Sequence, residues 1–250
     1  MTVDTALILA AGRGIRLGPT GRLLPKGFLR PDPRREPIVV ESIGRLTSRG
    51  VRRIVVVTGH LSSFYDELAA TRGGLNGVAI ELVHNPRFAT SGSLCSLACA
   101  RERITADCLV VESDLVYESR ALDAALQSPR ADVVVVSGPT GSGDEVYVST
   151  LGERIVGISK DPATSATSFG ELVGISRVSH ALFERMVQQA DLDPSAEYET
   201  GGLSRLATDY PVYCARISDL VWAEIDTPAH FERVQSLIYP KLRELDATRA

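Results

Sequence analysis

The sequence predicts an α/β fold: a mostly parallel mixed sheet with helices on both faces and a small β elaboration. Three observations predict it. Short apolar runs alternate with helical periodicity up to residue 136. The first apolar run opens into a loop rich in glycine and arginine. After Ser137 the rhythm changes to short β-like runs separated by turns. Strand–helix alternation implies right-handed crossovers and a sheet covered on both faces.

The elements follow in order. Thr5–Ala10 (TALILA) is continuously apolar, as a buried parallel strand is. Residues 39–49 have helical spacing, with Ile43 and Leu46 on one face and Gly50 closing the helix. Arg53–Thr58 (RIVVVT) is a second buried strand. Residues 62–70 read as a helix with Ser62 as N-cap, and 78–83 as a third strand. Residues 91–101 form a helix with small residues at its start. Cys108–Glu112 (CLVVE) is a fourth strand, followed by a Ser113-Asp114-Leu115 loop. A helix over 119–127 and a fifth strand over 132–136 complete the regular part. The runs 146–150, 155–158 and 172–175 predict the mixed elaboration. Residues 179–190 and 202–208 read as helices. Strands at 212–217 and 223–225 close the sheet. A terminal helix over 227–245 begins at Thr227-Pro228, where proline suits the first turn. No repeat, linker or low-complexity tract interrupts the chain, so residues 1–250 are expected to form one domain.

Composition narrows the function. Of 250 residues, 44% are hydrophobic and 23% charged, which is enough for a substantial core. With 27 Lys and Arg against 31 Asp and Glu, the net charge is −4. An acidic chain offers no general field for nucleic acid, so a bound polyanion must be held by local basic groups. No run approaches the roughly 20 apolar residues that span a bilayer, so no membrane partner is expected. Residues 1–4 lack the layout of a signal peptide. Cys95, Cys99, Cys108 and Cys214 form no C-x-x-C pair and no disulfide framework. These features fit a cytoplasmic protein. Cys95 and Cys99, one helical turn apart, read as packing residues, because nothing completes a tetrahedral metal set.

The first strand runs into Ala10-Ala11-Gly12-Arg13-Gly14-Ile15-Arg16-Leu17-Gly18, followed by Leu24-Pro25-Lys26-Gly27-Phe28. Glycines here let backbone N–H groups approach phosphate oxygens. Arg13 and Arg16 suit bidentate phosphate contact, and Lys26 acts as a point charge. The spacing is not that of a P-loop. It also departs from the dinucleotide fingerprint, since no helical pattern starts before Val39. A solvated loop with incidental basic residues is the competing reading. Ser91-Gly92-Ser93 is not G-x-S-x-G, so serine hydrolase chemistry has no support.

Two carboxylates stand out. Asp114 follows a buried strand, and Asp226 follows the short run at 223–225. Ligands of open α/β sheets bind at strand ends. Two carboxylates there can share one Mg²⁺, which prefers oxygen ligands and keeps water and phosphate oxygens. Helix capping competes for both acids, more strongly for Asp226 in its Asp-Thr-Pro context. Glu224 alternates with Asp226 on one strand face and is a candidate third ligand.

The segment Leu7-Ile8-Leu9-Ala10-Ala11-Gly12-Arg13-Gly14-Ile15-Arg16-Leu17-Gly18 with Leu24-Pro25-Lys26-Gly27-Phe28 resembles the signature of the sugar-phosphate-type nucleotidyltransferases. Further motifs are similar to the phosphonate cytidylyltransferases, the group of 2-aminoethylphosphonate cytidylyltransferase and its relatives from phosphonate antibiotic pathways. They are Asn85-Pro86-Arg87-Phe88-Ala89-Thr90-Ser91-Gly92-Ser93, Val111 to Glu118, Ser142 to Val148, Gly170 to Ser176 and Glu224-Ile225-Asp226. The resemblance covers nearly the whole chain. It implies a Rossmann-like, glycosyltransferase-A-like nucleotidyltransferase fold. It also implies transfer of CMP from CTP to a small phosphonate or phosphate ester, with Mg²⁺ held at Asp114 and Asp226. Lys160 resembles a second active-site lysine of the family. The implied nucleotide-binding set is Leu9, Ala10, Ala11, Gly12, Gly14, Arg16, Asn85, Thr90, Ser91, Gly92, Ser93, Glu112 and Ser113. Small polar residues at 90–93 contact cytosine in related enzymes; helix capping by Thr90 or Ser91 is the competing reading.

Acceptor candidates are Asp144, Glu145, Glu171, Tyr198 and Glu199, where acids would suit an aminoalkyl acceptor. Arg22, Arg30, Arg34 and Arg35 could instead grip an acidic acceptor, or simply be solvated. A sugar-1-phosphate or phosphocholine nucleotidyltransferase is the alternative activity. A non-catalytic nucleotide-binding regulator is the alternative class. A homodimer is common for this architecture, by analogy only.

Overall fold

The computed structural model describes residues 3–72 and 78–247. Eleven strands are described: β1 (Thr5–Ala10), β2 (Arg53–Thr58), β3 (Ala79–His84), β4 (Cys108–Glu112), β5 (Leu115–Tyr117), β6 (Val133–Ser137), β7 (Tyr147–Leu151), β8 (Arg154–Ser159), β9 (Gly170–Val178), β10 (Tyr213–Ile217) and β11 (Trp222–Glu224). The main sheet runs β3-β2-β1-β4-β9-β6-β10-β8-β7. It is parallel from β3 to β4, and β9 enters antiparallel between β4 and β6.

The helices are α1 (Pro19–Leu23), α2 (Ile38–Thr47), α3 (Ser63–Arg72), α4 (Ser93–Cys99), α5 (Arg120–Gln127), α6 (His180–Leu192), α7 (Ser204–Leu206), α8 (Pro228–Arg233) and α9 (Tyr239–Ala247). The continuous apolar runs of β1 and β2 are explained by burial on both faces. Leu7, Leu9, Val55 and Val57 join one core with α4 and α6. Ala6, Ile8, Ile54 and Val56 join another with α2, α3 and α5. Each fully buried Leu, Ile or Val contributes about 1.5–3 kcal/mol.

Four expectations are corrected. Residues 172–175 are no part of an elaboration. They lie inside β9, a nine-residue strand buried along its whole length in the centre of the sheet. Residues 223–225 do not close the main sheet. They belong with β11, which pairs with β5 in a separate two-stranded sheet; Ser113 and Asp114 form the expected turn, but Leu115, expected in that loop, starts β5. The phosphate loop is partly helical before Val39, with 3-10 turns at Ile15–Leu17 and Lys26–Phe28 around α1. Finally, the helices expected over 202–208 and 227–245 contain π-helical turns at Tyr198–Leu203 and Val234–Ile238. Such turns follow no 3.6-residue pattern and are invisible to periodicity.

Candidate active site

The two-stranded sheet builds the acidic centre. Its register sets Leu115 opposite Glu224, and Ile225 N–H donates to the Asp114 carbonyl at 3.1 Å. Asp114 and Asp226, 112 positions apart in the chain, are thereby clamped side by side. Both are almost fully buried. The Lys26–Phe28 turn then delivers the Lys26 ammonium between them. It pairs with Asp114, reaches Asp226 Oδ1 at 2.8 Å and lies 3.9 Å from Glu224 Oε1. Arg16 closes the other side, with Nη2 2.9 Å from Asp226 Oδ2 and Nη1 2.5 Å from Asp144 Oδ2.

The electrostatics follow from this crowding. Burial opposes the Lys26 charge, but Asp114, Asp226 and Glu224 outweigh it and hold the ammonium well above its ordinary pKa. Burial lifts the Glu224 carboxyl well above the usual range, and repulsion from Asp114 and Asp226 adds to it. Glu112 is lifted likewise by burial and then by Glu199, Glu224 and Asp114. For Asp114, burial wins over the Lys26 charge and the pKa rises. For Asp226, burial is outweighed by Lys26, a hydrogen bond to Glu224 and Arg16, so its pKa is held low. The pair divides the labour: Asp226 stays the firm anion.

These groups line one cleft of about 310 Å³ at the carboxyl ends of β1 and β4. Its walls include Leu9, Ala10, Ala11, Gly12, Arg16, Lys26, Ser91, Gly92, Ser93, Glu112, Ser113, Asp114, Lys160, Glu199, Glu224 and Asp226, all singled out in the sequence. Gly174 makes room for one of them. It sits at φ +78° in the middle of β9, and a Cβ there would lie 3.0 Å from Glu112 Oε2.

The far end of the cleft carries small hydroxyls, backbone groups and a single carboxylate, Glu197, bound to Ser93. Asn85, with no exposed surface, donates from Nδ2 to Ser91 Oγ at 3.1 Å and Ser96 Oγ at 3.0 Å, fixing the turn before α4. A Cβ on Gly92 would collide with the carbonyl oxygens of Ser195 and Ala196, so residues 91–93 pack directly on the 194–198 segment. Gly92 N–H donates to the Pro194 carbonyl, and Leu94 N–H to the Ala196 carbonyl.

Several expected residues stand elsewhere. Asn85 lies behind the cleft rather than in it, and Gly14 and the exposed Arg13 and Thr90 are not among its lining residues. Tyr198 is corrected as an acceptor contact: its ring is buried in the core. Asp144, Glu145 and Glu171 line a smaller adjoining pocket of about 20 Å³, which shares Glu224 with the main cleft. Glu171 is held there by Thr140 N–H at 3.0 Å. Arg30, Arg34 and Arg35 pair with Glu36, Asp32 and Glu41 and line neither pocket. Tyr65, Phe88, Ser96 and Glu197 line the cleft without having been singled out. Phe88 lay inside the quoted Asn-Pro-Arg-Phe motif; Tyr65 carried no sequence signal.

The donor set fits a hard divalent cation. Carboxylate oxygens of Glu112, Asp114 and Glu224 lie within 4.8 Å of one another. Asp226 Oδ2 is buried without a hydrogen bond, since its contact with Arg16 has ion-pair distance but not hydrogen-bond geometry. Asp114, Asp226 and Glu224, beside Glu112, share the cations of Lys26 and Arg16, and Arg16 is shared further with Asp144, so carboxylates outnumber cations here. All candidate ligands are oxygens, as Mg²⁺ prefers. The structure adds Glu112 to the expected set of Asp114, Asp226 and Glu224.

A polar cleft beside the first β-strand loop, with acids and cations crowded at one end and small hydroxyls at the other, defines a nucleotide-handling α/β domain. The chain belongs to the family of the MobA-like NTP transferase domain, whose model matches residues 6–191. It is 30% identical over 235 residues to CMP-5'-(3-aminopropyl)phosphonate synthase of Streptomyces rubellomurinus, covering 89% of this chain and 37% of that protein. It is 25% identical over 241 residues to the bifunctional IPC transferase and DIPP synthase of Aquifex aeolicus, covering 94% of this chain and 52% of that protein. The chain thus spans between about a third and about half the length of these curated relatives. The inositol-1-phosphate CTP transferase from T. maritima has the same fold, with a TM-score of 0.80 at 20% identity over 98% of both chains. Among the described residues, no helix is long and apolar enough to cross a membrane.

Proposed function

We propose that this chain is a CTP-dependent cytidylyltransferase that moves CMP to a small phosphonate and releases pyrophosphate. The observation that carries this reading is the convergence of Lys26, Asp114 and Asp226 at one lip of the sheet. The likeness to a relative named as a CMP-phosphonate synthase supports the choice of base and acceptor. An acceptor oxygen attacks the α-phosphorus of CTP in line with the departing pyrophosphate. The nucleophile is already an anion, so no strong general base is needed, and catalysis is positioning plus charge neutralisation.

Lys26 binds the α-phosphate and the incoming phosphonate. Arg16 exchanges its carboxylate partners for triphosphate oxygens. Backbone N–H groups of Ala11 and Gly12 approach the phosphates, and Lys160 adds charge at the rim. Asp114 and Asp226, with Glu224 and Glu112, would hold Mg²⁺, which when bound neutralises phosphate charge and orients the triphosphate. The domain works as one unit in the cytoplasm, in phosphonate or antibiotic biosynthesis. Asp144, Glu145 and Glu171 form the acceptor side, where Glu224 joins the two pockets.

The test is pyrophosphate release by the purified chain with Mg²⁺, a panel of phosphonates, and CTP, UTP or GTP. Release with CTP and a phosphonate is expected. Turnover only with a sugar 1-phosphate, or tight CTP binding without turnover, would reject the reading.

A further inference from the structure

Glu197 occupies an unusual position. It is an exposed residue that lines the same cleft as Phe88, Ser91, Gly92 and Ser93. Its Oε2 accepts twice from Ser93, from the hydroxyl at 2.6 Å and from the backbone N–H at 3.1 Å. Ser93 Oγ in turn accepts from Tyr198 N–H at 2.7 Å. One carboxylate oxygen is therefore fully engaged in fixing the turn. The other, Oε1, takes no hydrogen bond among the described residues.

The cleft dictates which part of a nucleotide meets this oxygen. Lys26, Arg16 and the acidic centre claim the triphosphate end. The opposite end offers an aromatic ring, small hydroxyls and backbone groups, the surroundings a flat base requires. A carboxylate oxygen is only an acceptor. It suits the exocyclic amine of cytosine and opposes the carbonyl oxygen that uracil carries at the same position.

We infer that Glu197 is a specificity-determining residue, whose free carboxylate oxygen selects a cytosine over a uracil base. The inference rests on the proposed cytidylyltransferase reading and deepens it. The geometry also makes a polarity switch available. In Glu197→Gln, the amide carbonyl can keep both Ser93 hydrogen bonds, which leaves the NH₂ group where Oε1 stood. An acceptor becomes a donor without disturbing the turn.

The experiment measures kcat/KM for CTP and for UTP, by pyrophosphate release with Mg²⁺ and the phosphonate panel, in wild type, Glu197→Gln and Glu197→Ala. The Gln variant is expected to lower the CTP-to-UTP ratio by about tenfold or more, with UTP turnover rising in absolute terms. A gain with UTP is a result that misfolding does not produce. The Ala variant, lacking both acceptor and donor, should lose CTP turnover without gaining UTP turnover. If wild type uses CTP and the Gln variant keeps its ratio within about twofold, the Glu197 assignment is overturned while the transferase reading stands. If wild type turns over no CTP with any acceptor, that reading fails and the inference falls with it.

Discussion

Removing one charge from the acidic centre should have consequences beyond activity. Lys26→Met keeps most of the apolar stem and deletes an ammonium whose side chain is only 17% exposed. It leaves the Asp114 and Asp226 carboxylates with Arg16 alone, a cation that Asp144 also shares. Breaking a buried ion pair from one side costs about 3–5 kcal/mol. For a chain of this length that corresponds to a fall in Tm of roughly 6–20 °C without divalent metal. A cation bound by the same carboxylates restores the balance, and ligand binding stabilises in proportion to its affinity. Calorimetry of both proteins in EDTA and in millimolar Mg²⁺ is the assay. The variant should melt well below wild type in EDTA and gain more from Mg²⁺ than wild type does. Equal melting in EDTA, or equal gains from Mg²⁺, would refute the charge argument.

Three further outcomes are expected. Asp114→Asn should fold and bind CTP, yet lose about 10²–10³-fold in kcat, as when other preorganised charge groups are removed; steady-state kinetics checks this. Gly174→Ala forces a side chain into a left-handed conformation against Glu112, so about 1–2 kcal/mol of stability and part of the metal affinity should be lost; urea titration and calorimetry measure both. Burial pushes the Cys108 thiol up to about 12, with Asp107 adding to the effect, so the folded pKa lies above the unfolded value. Its stabilising contribution is therefore complete below about pH 9 and lost as pH rises toward 12. Mass spectrometry after iodoacetamide treatment at pH 8 should find half-buried Cys99 alkylated in the native protein and Cys108 alkylated only after unfolding.

What was legible in the sequence depended on how local the signal was. β1, β2 and β4 showed themselves because burial on both faces demands unbroken apolar runs, and their bounds match residue for residue. Lys26, Asp114 and Asp226 were readable because each stands just past a strand or in a glycine-bearing loop. Their meeting was expected from the strand ends and the family resemblance, but the means of it was not readable. It depends on the β5–β11 pairing, two three-residue strands too short for any periodicity to mark. The central place of β9 was hidden for a related reason. Only its core, 172–175, looked strand-like, since Gly170 and Glu171 before it and the polar Ser176 and Arg177 after it bound the apolar run. Glu197 carried no signal because its role comes from hydrogen bonds with Ser93, which lies 104 residues away. Tyr198 sat in the same acidic, aromatic stretch, yet its ring turns inward while both neighbouring acids face the cleft.

The central claim concerns where one cation and one triphosphate meet. Crystals grown with CTP and Mn²⁺ in place of Mg²⁺, measured for anomalous scattering, locate the ion directly. The expected result is a peak at the carboxylates of Asp114 and Asp226, with Lys26 swung onto a phosphate oxygen. A peak bound elsewhere, with Lys26 still locked between the two aspartates while CTP is in place, would contradict it.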